Sequence, residues 1–489
     1  MTLLIQSISE SVSALINFIY EILQKLVVYL FSPRPAPSSH NRKGPRLAII
    51  GAGISGVSAA AHCVGHGCDV VILEKHPRKN LGGIWSRVNS TSSLQIYSVM
   101  YRFHPSIVWH KGYPNRQRIL EEVEKLWKGY GLQSKTRFET PVTSIERDSK
   151  QRWVINHGSE SEDVFDAVIV AIGTCGEPKM PNFPGSENFG GRILHSSELD
   201  GVDVSGKKVV VVGGGASAIE AVEYAVSGHA KMVDILARAS KWIIPRNVIV
   251  DAILSMNIFG YETSLSFIPE FLPRCFFYRD LQDLAPQSKG LYTSTPMCNN
   301  QILSQIRAGK ARWFRGDIQT FEQNGILFNV RDRGVPPGGP GLKKLIDGEI
   351  IVLATGFHRP DPHFMPEEVF KPPYAPPAWY LQTFPPEYPR VCAINSMYIN
   401  ALGTVGHVHI GWYTRTLLMF LVDPSTMPKP EEMKRWVDFT RFLKACSPEK
   451  AFDFFTYSEM MLWFVECILW KPQRWSWAIF IFLGWGNLL

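Results

Sequence analysis

Two glycine-rich turns of the same spacing constrain this chain more than any other feature. Gly51-Ala52-Gly53-Ile54-Ser55-Gly56 and Gly213-Gly214-Gly215-Ala216-Ser217-Ala218 each follow an apolar run, residues 47–50 and 209–212, and each opens a stretch of helical periodicity. Strand, turn and helix in that order separate a dinucleotide-binding fingerprint from a chance match. The first glycine permits the tight turn and the second lets the backbone approach a pyrophosphate. The third position lets helix pack on strand, so the diphosphate meets the helix N-terminus. Ala218 fills the third place of the second turn and is small enough for that packing. The pattern predicts an α/β chain with two Rossmann-like dinucleotide-binding domains, the second inserted into the first.

The residue closing the next strand tells the two sites apart. Glu74 ends the run 70–73 and stands 23 residues after Gly51. That matches the roughly 20-residue spacing at which an acid accepts hydrogen bonds from ribose hydroxyls, and it suits the adenosine half of FAD. The corresponding run 232–236 passes into Ala237-Arg238 with no acid at its end. A carboxylate would repel a 2′-phosphate, whereas a guanidinium pairs with it bidentately, so the second site leans to NADPH over NADH. One such turn suggests a dehydrogenase; two with opposite charges suggest a flavoprotein fed by a nicotinamide cofactor.

The rest of the composition narrows the field. A chain of 489 residues with 45% hydrophobic and 12% aromatic content has enough apolar side chain for two cores. The net charge of +7 comes without a lysine or arginine run or aromatic-basic interleaving, so nucleic acid has no specific support; anionic cofactors and anionic membrane surfaces would both benefit. The eight cysteines include no CxxC pair, as in a reduced thiol population. Cys63 and Cys68 have the CxxxxC spacing of flavin disulfide reductases. They precede Glu74, on the helix expected to pack against the sheet, and so read as packing cysteines, with a redox pair as the alternative.

Both ends differ from the middle. Leu4, Ile8, Val12, Leu15, Ile19, Ile22, Leu26 and Leu30 recur at helical spacing, with Gln6, Ser9, Glu10, Ser13, Asn17, Glu21, Gln24 and Lys25 opposite. This amphipathic helix is an in-plane membrane anchor, a helix packed on the protein's own surface, or a span. Glu10, Glu21, Gln24 and Lys25 weigh against the span, and a secretory signal is not expected. Residues 32–45 read as an extended linker. Near the other end, Trp463, Trp470, Trp475, Trp477 and Trp485 surround the apolar run 478–483, with Lys471 and Arg474 beside it. That composition suits a membrane interface. The expected plan is residues 1–45 helix and linker, 46–185 with 345–445 FAD-binding, 186–344 NADPH-binding, and 446–489 an apolar tail. The buried run 166–173 belongs to the first unit, and the run 349–356 marks the return to it. Residues 334–341 read as a surface loop and 360–389 as extended and irregular. Substrate-pocket residues are expected from the irregular region between Arg246 and Lys344 and from that proline-dense stretch.

Over residues 45 to 430 or so, the chain resembles the class B flavin-dependent monooxygenases, in their flavin-containing monooxygenase branch. The resemblance rests on the first glycine turn, Glu74, Gly82-Gly83-Ile84-Trp85, the linker 171–178, the FxGxxxH run from Phe189 to His195, the second turn, and Ala354-Thr355-Gly356-Phe357. Leu199 stands where that identifier usually ends in Tyr or Phe. It implies backbone approach to the flavin at Gly82 and Gly83 and an aromatic cover from Trp85. His195 either ties the linker between the domains or stands near the nicotinamide, and Thr355 and Gly356 form a junction turn with some cofactor proximity. It further implies that NADPH reduces FAD, dioxygen adds, and a 4a-hydroperoxyflavin delivers one oxygen atom to a small organic substrate, with no protein nucleophile.

Family members often carry an Asn downstream of GGxW that steadies the peroxide and NADP⁺. No Asn sits unambiguously in that place here; Gln95 is the preferred substitute and Asn89 the second choice, and uncoupling to hydrogen peroxide is a consequence to test. N- or S-oxygenation, or a metabolite-tailoring step, on the cytoplasmic side of a membrane is the expected function. A Baeyer–Villiger reaction is the alternative within the class, weakened by the lack of a YPGxRxD-like stretch and of Trp at the identifier's end. An NADPH reductase or oxidase that inserts no oxygen is disfavoured by the missing redox pair and by the FxGxxxH run. A membrane-bound protein holding FAD only structurally is disfavoured by the second turn and Arg238.

Overall fold

Short apolar runs without polar alternation form strands buried on both faces, which is how parallel sheets read in sequence. The computed structural model describes residues 2–33, 44–110, 112–157, 163–247, 250, 266–286, 290–291, 296–397, 407–445 and 455–486. In chain order the first strands are β1 (Arg46–Ile50), β2 (Asp69–Leu73) and β3 (Thr136–Arg137), then an antiparallel ribbon of β4 (Ile145–Arg147), β5 (Trp153–Ile155) and β6 (Asp163–Phe165), then β7 (Ala167–Val170). There follow β8 (Arg192–His195), β9 (Lys208–Val212), β10 (Met232–Ala237) and the short pair β11 (Ile243–Ile244) and β12 (Met297–Cys298). The last are β13 (Ala311–Glu322), β14 (Gly325–Val330), β15 (Leu342–Asp347), β16 (Ile350–Leu353) and β17 (Val391–Ala393).

Two parallel sheets carry the architecture. The first has five strands in the order β17-β7-β1-β2-β3, all parallel. The second has seven in the order β15-β14-β13-β10-β9-β16-β8, parallel from β13 to β8 and closed on one side by the antiparallel strands β14 and β15. Residues 334–341 lie in the connection between those two antiparallel strands, and 360–389 is irregular apart from one short 3₁₀ turn, Glu367–Phe370.

The boundary expected at residue 345 is corrected. β16 pairs with β9 and β8, so the run 350–353 completes the second sheet, and the chain rejoins the first sheet at β17. A strand buried on both faces looks the same in sequence whichever sheet receives it, so the mistake was built into the periodicity argument.

Helix α1 (Thr2–Phe31) is continuous. The polar side faces the body: Gln24 is 2% exposed, and its amide exchanges two hydrogen bonds with the backbone of Trp109, Nε2 to O at 2.8 Å and N to Oε1 at 2.7 Å. The Arg102 guanidinium donates to the Gln24 carbonyl, Tyr20 meets Ser98, and Trp485 stacks on Phe31 while donating to the Leu30 carbonyl. Leu15, Ile19, Ile22, Leu26 and Leu30 of the apolar stripe are exposed. Of the expected linker, residues 34–43 lie outside the described residues, as do residues 446–454 of the tail and, in the expected pocket region, residues 248–249, 251–265, 287–289 and 292–295.

Helix α2 (Ile54–Gly65) is buried almost throughout, wedged between the first sheet and α5 (His409–Val422), the fifth helix counted here after α3 (Arg116–Gly129) and α4 (Ala216–Ser227). Cys63 and Cys68 lie in this core without a disulfide between them, and burial pushes the Cys63 thiol well up, out of the reactive range. Beside them His62, His66, His104 and Arg415 are all buried. The rings of His62 and His104 stand 4.4 Å apart, Arg415 Nη1 lies 3.1 Å from His62 Nδ1, and Arg415 Nε donates to the Ile481 carbonyl at 2.7 Å. Burial, reinforced by the charge of Arg415, holds His62 and His104 well below the usual imidazole range and His66 at about 3.

These imidazoles are neutral in the folded chain, while in the unfolded chain they take up protons below about 6.5. Stability is therefore complete above that pH and falls as the pH drops toward the depressed folded values. Denaturant melts between pH 8 and pH 5 should show a loss of up to about 1.4 kcal/mol per imidazole per pH unit on the acid side, and His66→Gln should remove one proton from that slope.

Candidate functional site

The first glycine turn is held from three sides. Gly51 has φ +106°, and a Cβ there would stand 2.7 Å from the Ala171 carbonyl oxygen. A Cβ at Gly56 would collide with the Gly51 carbonyl, so α2 starts pressed onto its own turn. Gly53 is the exception: it is the N-cap of α2 without any side-chain cap, and its open face meets only Gly83 Cα, at 3.7 Å. The first-turn N–H groups of α2 thus point into a cradle that a side chain would fill. Gly82 N donates to Ala52 O at 3.0 Å and bridges to Gly53, laying Gly82 and Gly83 across the turn in left-handed conformations, φ +97° and +63°. Trp85 follows, half-buried, with its indole N–H donated to Tyr101 Oη at 2.6 Å.

Glu74 is buried at the end of β2. Its Oε2 accepts from Ala52 N at 2.7 Å and its Oε1 from His76 N at 2.9 Å. The carboxylate therefore fixes the turn's backbone, and each oxygen keeps a further lone pair for a ribose hydroxyl. This bracing role is invisible in sequence, where Glu74 stands as a lone acid at a plausible spacing.

The second turn repeats the geometry. Gly213 has φ +140° and stands against the Ala354 carbonyl, 2.5 Å from where its Cβ would be. Gly215 caps α4 with no side chain and has nothing within 4 Å of a Cβ position, Ser217 is half-buried, and Ala218 is fully buried against the sheet. At the end of β10 the Arg238 side chain is exposed, while its carbonyl accepts from Arg331 Nη2 at 2.5 Å. Arg331 is buried and paired with Asp317 at 2.6 Å. A second guanidinium stands next to this edge: Arg315 of β13 is in register with Ala237 and donates Nε to Ser240 Oγ at 2.8 Å. Sequence reasoning missed Arg315, because only the strand order makes it a neighbour of β10. Two uncapped helix starts with open glycine faces, one beside a buried acid and the other beside two guanidiniums, fit FAD and NADPH respectively.

Between the units lies the loop with both candidate amides. Asn89 is buried: Oδ1 accepts from Thr91 N at 3.1 Å, with the Thr91 and Ser92 hydroxyl oxygens 2.7 and 3.3 Å away, and Nδ2 reaches Ser196 O at 3.4 Å. Gln95 bridges to the second unit, with Oε1 accepting from Cys298 N at 2.9 Å and Nε2 lying 3.4 Å from Glu220 Oε1. Glu220, on α4, was not anticipated; a carboxylate inside an amphipathic helix reads as a solvated face. A cleft of about 330 Å³ opens along this seam, lined by Ser86, Arg87, Val88, Arg116, Glu177, Pro178, Ser197, Asp200 and Phe357.

His195 and Thr355 sit at the junction between β8 and β16. His195 Nε2 lies 3.0 Å from Gly356 O and its Nδ1 accepts from Ser197 N, so the ring is the Nε2–H tautomer and ties the two strand ends together. Burial holds its pKa below the ordinary imidazole value, which keeps it neutral. Thr355 Oγ1 donates to Lys179 O at 2.5 Å, an exposed contact that braces the same junction.

Comparison with known proteins gives consistent matches. The family model described as flavin-binding monooxygenase-like matches residues 44–472. Flavin-containing monooxygenase 5 of Rattus norvegicus is 26% identical over 81% of this chain and 79% of its own length. A Baeyer–Villiger monooxygenase of Pseudomonas aeruginosa is 31% identical, but over 44% of this chain and 40% of its own. Among solved structures, a steroid monooxygenase in its oxidised form bound to NADP superposes with a TM-score of 0.65 at 18% identity, covering 87% of this chain and 98% of that one. An open form of cyclohexanone monooxygenase gives 0.65 at 16%, covering 86% and 98%.

The exposed Arg238 makes the coenzyme preference testable. Arg238→Ala should raise the KM for NADPH by the loss of a charge-assisted contact, on the order of 1.5–3 kcal/mol, and leave the KM for NADH nearly unchanged. Steady-state kinetics with both coenzymes measure it, and equal losses would remove the assignment.

Proposed function

The chain belongs to the flavin-binding monooxygenase-like family, and from that premise we propose that it transfers one oxygen atom to nitrogen or sulfur in a small organic molecule at the seam between its two nucleotide-binding units. It is a flavin-dependent monooxygenase that uses FAD, NADPH and O2. The observation that carries the two-nucleotide reading is the pair of uncapped glycine turns, with an acid at one and guanidiniums at the other.

When bound, FAD supplies the redox chemistry, passing electrons from NADPH to dioxygen so that one oxygen atom reaches the substrate and the other leaves as water. The chain's own residues do the rest. The first-turn N–H groups of α2 and the Glu74 carboxylate hold the flavin nucleotide; the start of α4, with Ser217, and the edge carrying Arg238 and Arg315 hold NADPH. Trp85, locked by its bond to Tyr101, covers the site, and burial keeps the Tyr101 hydroxyl protonated. Gln95 is the amide that presents N–H near the reacting atoms. Asn89, whose carbonyl oxygen accepts from Thr91 N, shapes the loop and is the second choice for that task. In this reading the FAD-binding unit comprises the first sheet with α2 and α5, and the NADPH-binding unit runs through β16. Thr355 serves the junction between them.

The exposed stripe of α1 supports an in-plane seat on the cytoplasmic face of a membrane. Leu15, Phe18, Ile19, Ile22, Leu23 and Leu26 project outward, and Trp470, Trp475 and Trp485 of the tail are exposed as well. Among the described residues no helix is long and apolar enough to cross a membrane. Such a seat suits an apolar substrate and a metabolite-tailoring step.

Stopped-flow absorbance on FAD-loaded protein, reduced anaerobically with NADPH and mixed with oxygenated buffer, tests the reaction. A transient distinct from reduced and oxidised flavin, persisting while NADP⁺ is bound, is the expected result. Direct return to oxidised flavin with release of hydrogen peroxide would favour an oxidase. Oxygenated amines or sulfides are the expected products; an ester or lactone from a ketone would replace N/S-oxygenation by the Baeyer–Villiger reaction. For the membrane seat, the protein should float with anionic phospholipid vesicles. Phe18→Ser with Ile22→Ser should weaken that partitioning about a hundredfold or more, from about 1.5–3 kcal/mol per large apolar side chain; unchanged flotation would remove α1 from the interface.

A further inference from the structure

The loop carrying Gln95 is held by the opposite unit as much as by its own. Thr91 Oγ1 donates to the Glu220 carbonyl at 2.7 Å, Ser92 Oγ to Glu220 Oε2 at 2.7 Å, and Ser93 N to Oε1 at 3.3 Å. Gln95 Nε2 lies 3.4 Å from the same Oε1, while Gln95 Oε1 accepts from Cys298 N at 2.9 Å. The carbonyl end of the amide is held by β12, and its NH2 lies between the carboxylate on α4 and the Ser93 carbonyl, 3.5 Å away. Glu220 itself is buried, 7% exposed. A carboxylate in such a place costs free energy unless its donors repay it.

We propose that Glu220 is a positioning residue for oxygen transfer: its ionised carboxylate reaches across the seam and fixes the amide of Gln95. The proposal rests on Gln95 being the amide that presents N–H to the reacting atoms. An ionised carboxylate has acceptor sites for the hydroxyl of Ser92, the N–H of Ser93 and the NH2 of Gln95 together. Once protonated, the same group keeps fewer acceptor sites and loses its charge, and its hold on the Gln95 NH2 weakens.

Burial pushes the Glu220 carboxyl up to about 7, against the lowering effect of its bonds from Ser92 and Ser93. The charged groups acting on it are Arg246, beyond β11, which favours the carboxylate, and Glu223, on its own helix, which opposes it. Glu223 accepts from Asn299 Nδ2 at 2.6 Å. The hold on Gln95 is thus complete on the alkaline side of neutrality and is lost as the pH falls. When it is lost, more of the two electrons from each NADPH reduce O2 to H2O2, with the second proton taken from solvent, and fewer reach a substrate.

The test uses the FAD-loaded holoenzyme and two readouts. The first is infrared difference spectroscopy of the resting oxidised protein against pH, wild type against Glu220→Gln. A protonated-carboxyl band should vanish as the pH rises through about 7 in wild type and be absent in the variant. Gln95→Ala removes a donor and should move that midpoint upward; an unmoved midpoint overturns the contact. The second is NADPH consumption and H2O2 release in air without an organic substrate. Wild type should leak several-fold faster at pH 6 than at pH 8. Glu220→Gln and Gln95→Ala should leak at the faster rate at both pH values, and Glu220→Asp should recover part of the pH dependence. Glu220→Gln with a wild-type profile, while Gln95→Ala leaks, overturns the proposal. A shifted infrared midpoint with an unchanged leak in Gln95→Ala overturns the underlying reading of Gln95 instead. If Glu220→Gln loses FAD, Glu220→Asp decides by the same two readouts: a recovered pH dependence supports the proposal and a flat one overturns it.

Discussion

Each glycine turn is pressed against the carbonyl of an alanine that follows the neighbouring parallel strand, Gly51 against Ala171 and Gly213 against Ala354. Much else depends on this close approach. It is possible only because both glycines adopt backbone angles that side chains avoid, and because Gly173 and Gly356, two residues beyond each alanine, turn the chain away with φ of +71° and +81°. In both sheets the turn follows a strand flanked by partners on both sides, β1 between β7 and β2, β9 between β16 and β10. Such switch points open a crevice at the carboxyl edge of a parallel sheet, where a dinucleotide can lie on a helix start. The same local solution is used twice, with a different charge beside each turn.

Hydrogen bonds tie the two units together along the seam. His195 locks β8 to the end of β16 through a neutral ring, and the loop from Asn89 to Gln95 is pinned to α4 and β12 by hydrogen bonds that cross between units. Asp200, in the second unit, accepts from Ser90 N and pairs with Arg116 of the first. Polar contacts of this kind carry direction as well as energy, since each donor and acceptor has a defined lone pair or proton. The amide of Gln95 is oriented for that reason, and a small rotation of one unit against the other would be felt at it.

The ends of the chain are part of the same body. Helix α1 docks through Gln24 and leaves Leu15, Ile19, Ile22, Leu26 and Leu30 outside, and the tail reaches the core through the Ile481 carbonyl bound by Arg415. An exposed row of large aliphatic residues is unfavourable in water unless something else covers it. The buried imidazoles around Arg415 tolerate that guanidinium because they are neutral, which couples the seating of the tail to pH.

The sequence by itself determined the two glycine turns and the family, and marked an acid and a guanidinium as candidates to distinguish the turns, because glycine spacing, strand-ending residues and apolar runs are local properties that backbone sterics and charge translate directly. Glu74 and Arg238 were legible for that reason. What only the tertiary structure decided is what depends on neighbours distant in the chain. β16 belongs to the second sheet because β8 and β9 leave a place for it, and Arg315 joins the site because β13 lies beside β10. The outward face of α1 is the apolar one because a single buried amide, Gln24, matches the backbone of Trp109, and helical periodicity gives two faces without saying which one a body will accept. Glu220 is buried against Ser92, Ser93 and Gln95 only because α4 packs on a loop distant in the chain. Hydrogen bonding and burial are properties of assembled surroundings, and no pattern along one strand or helix contains them.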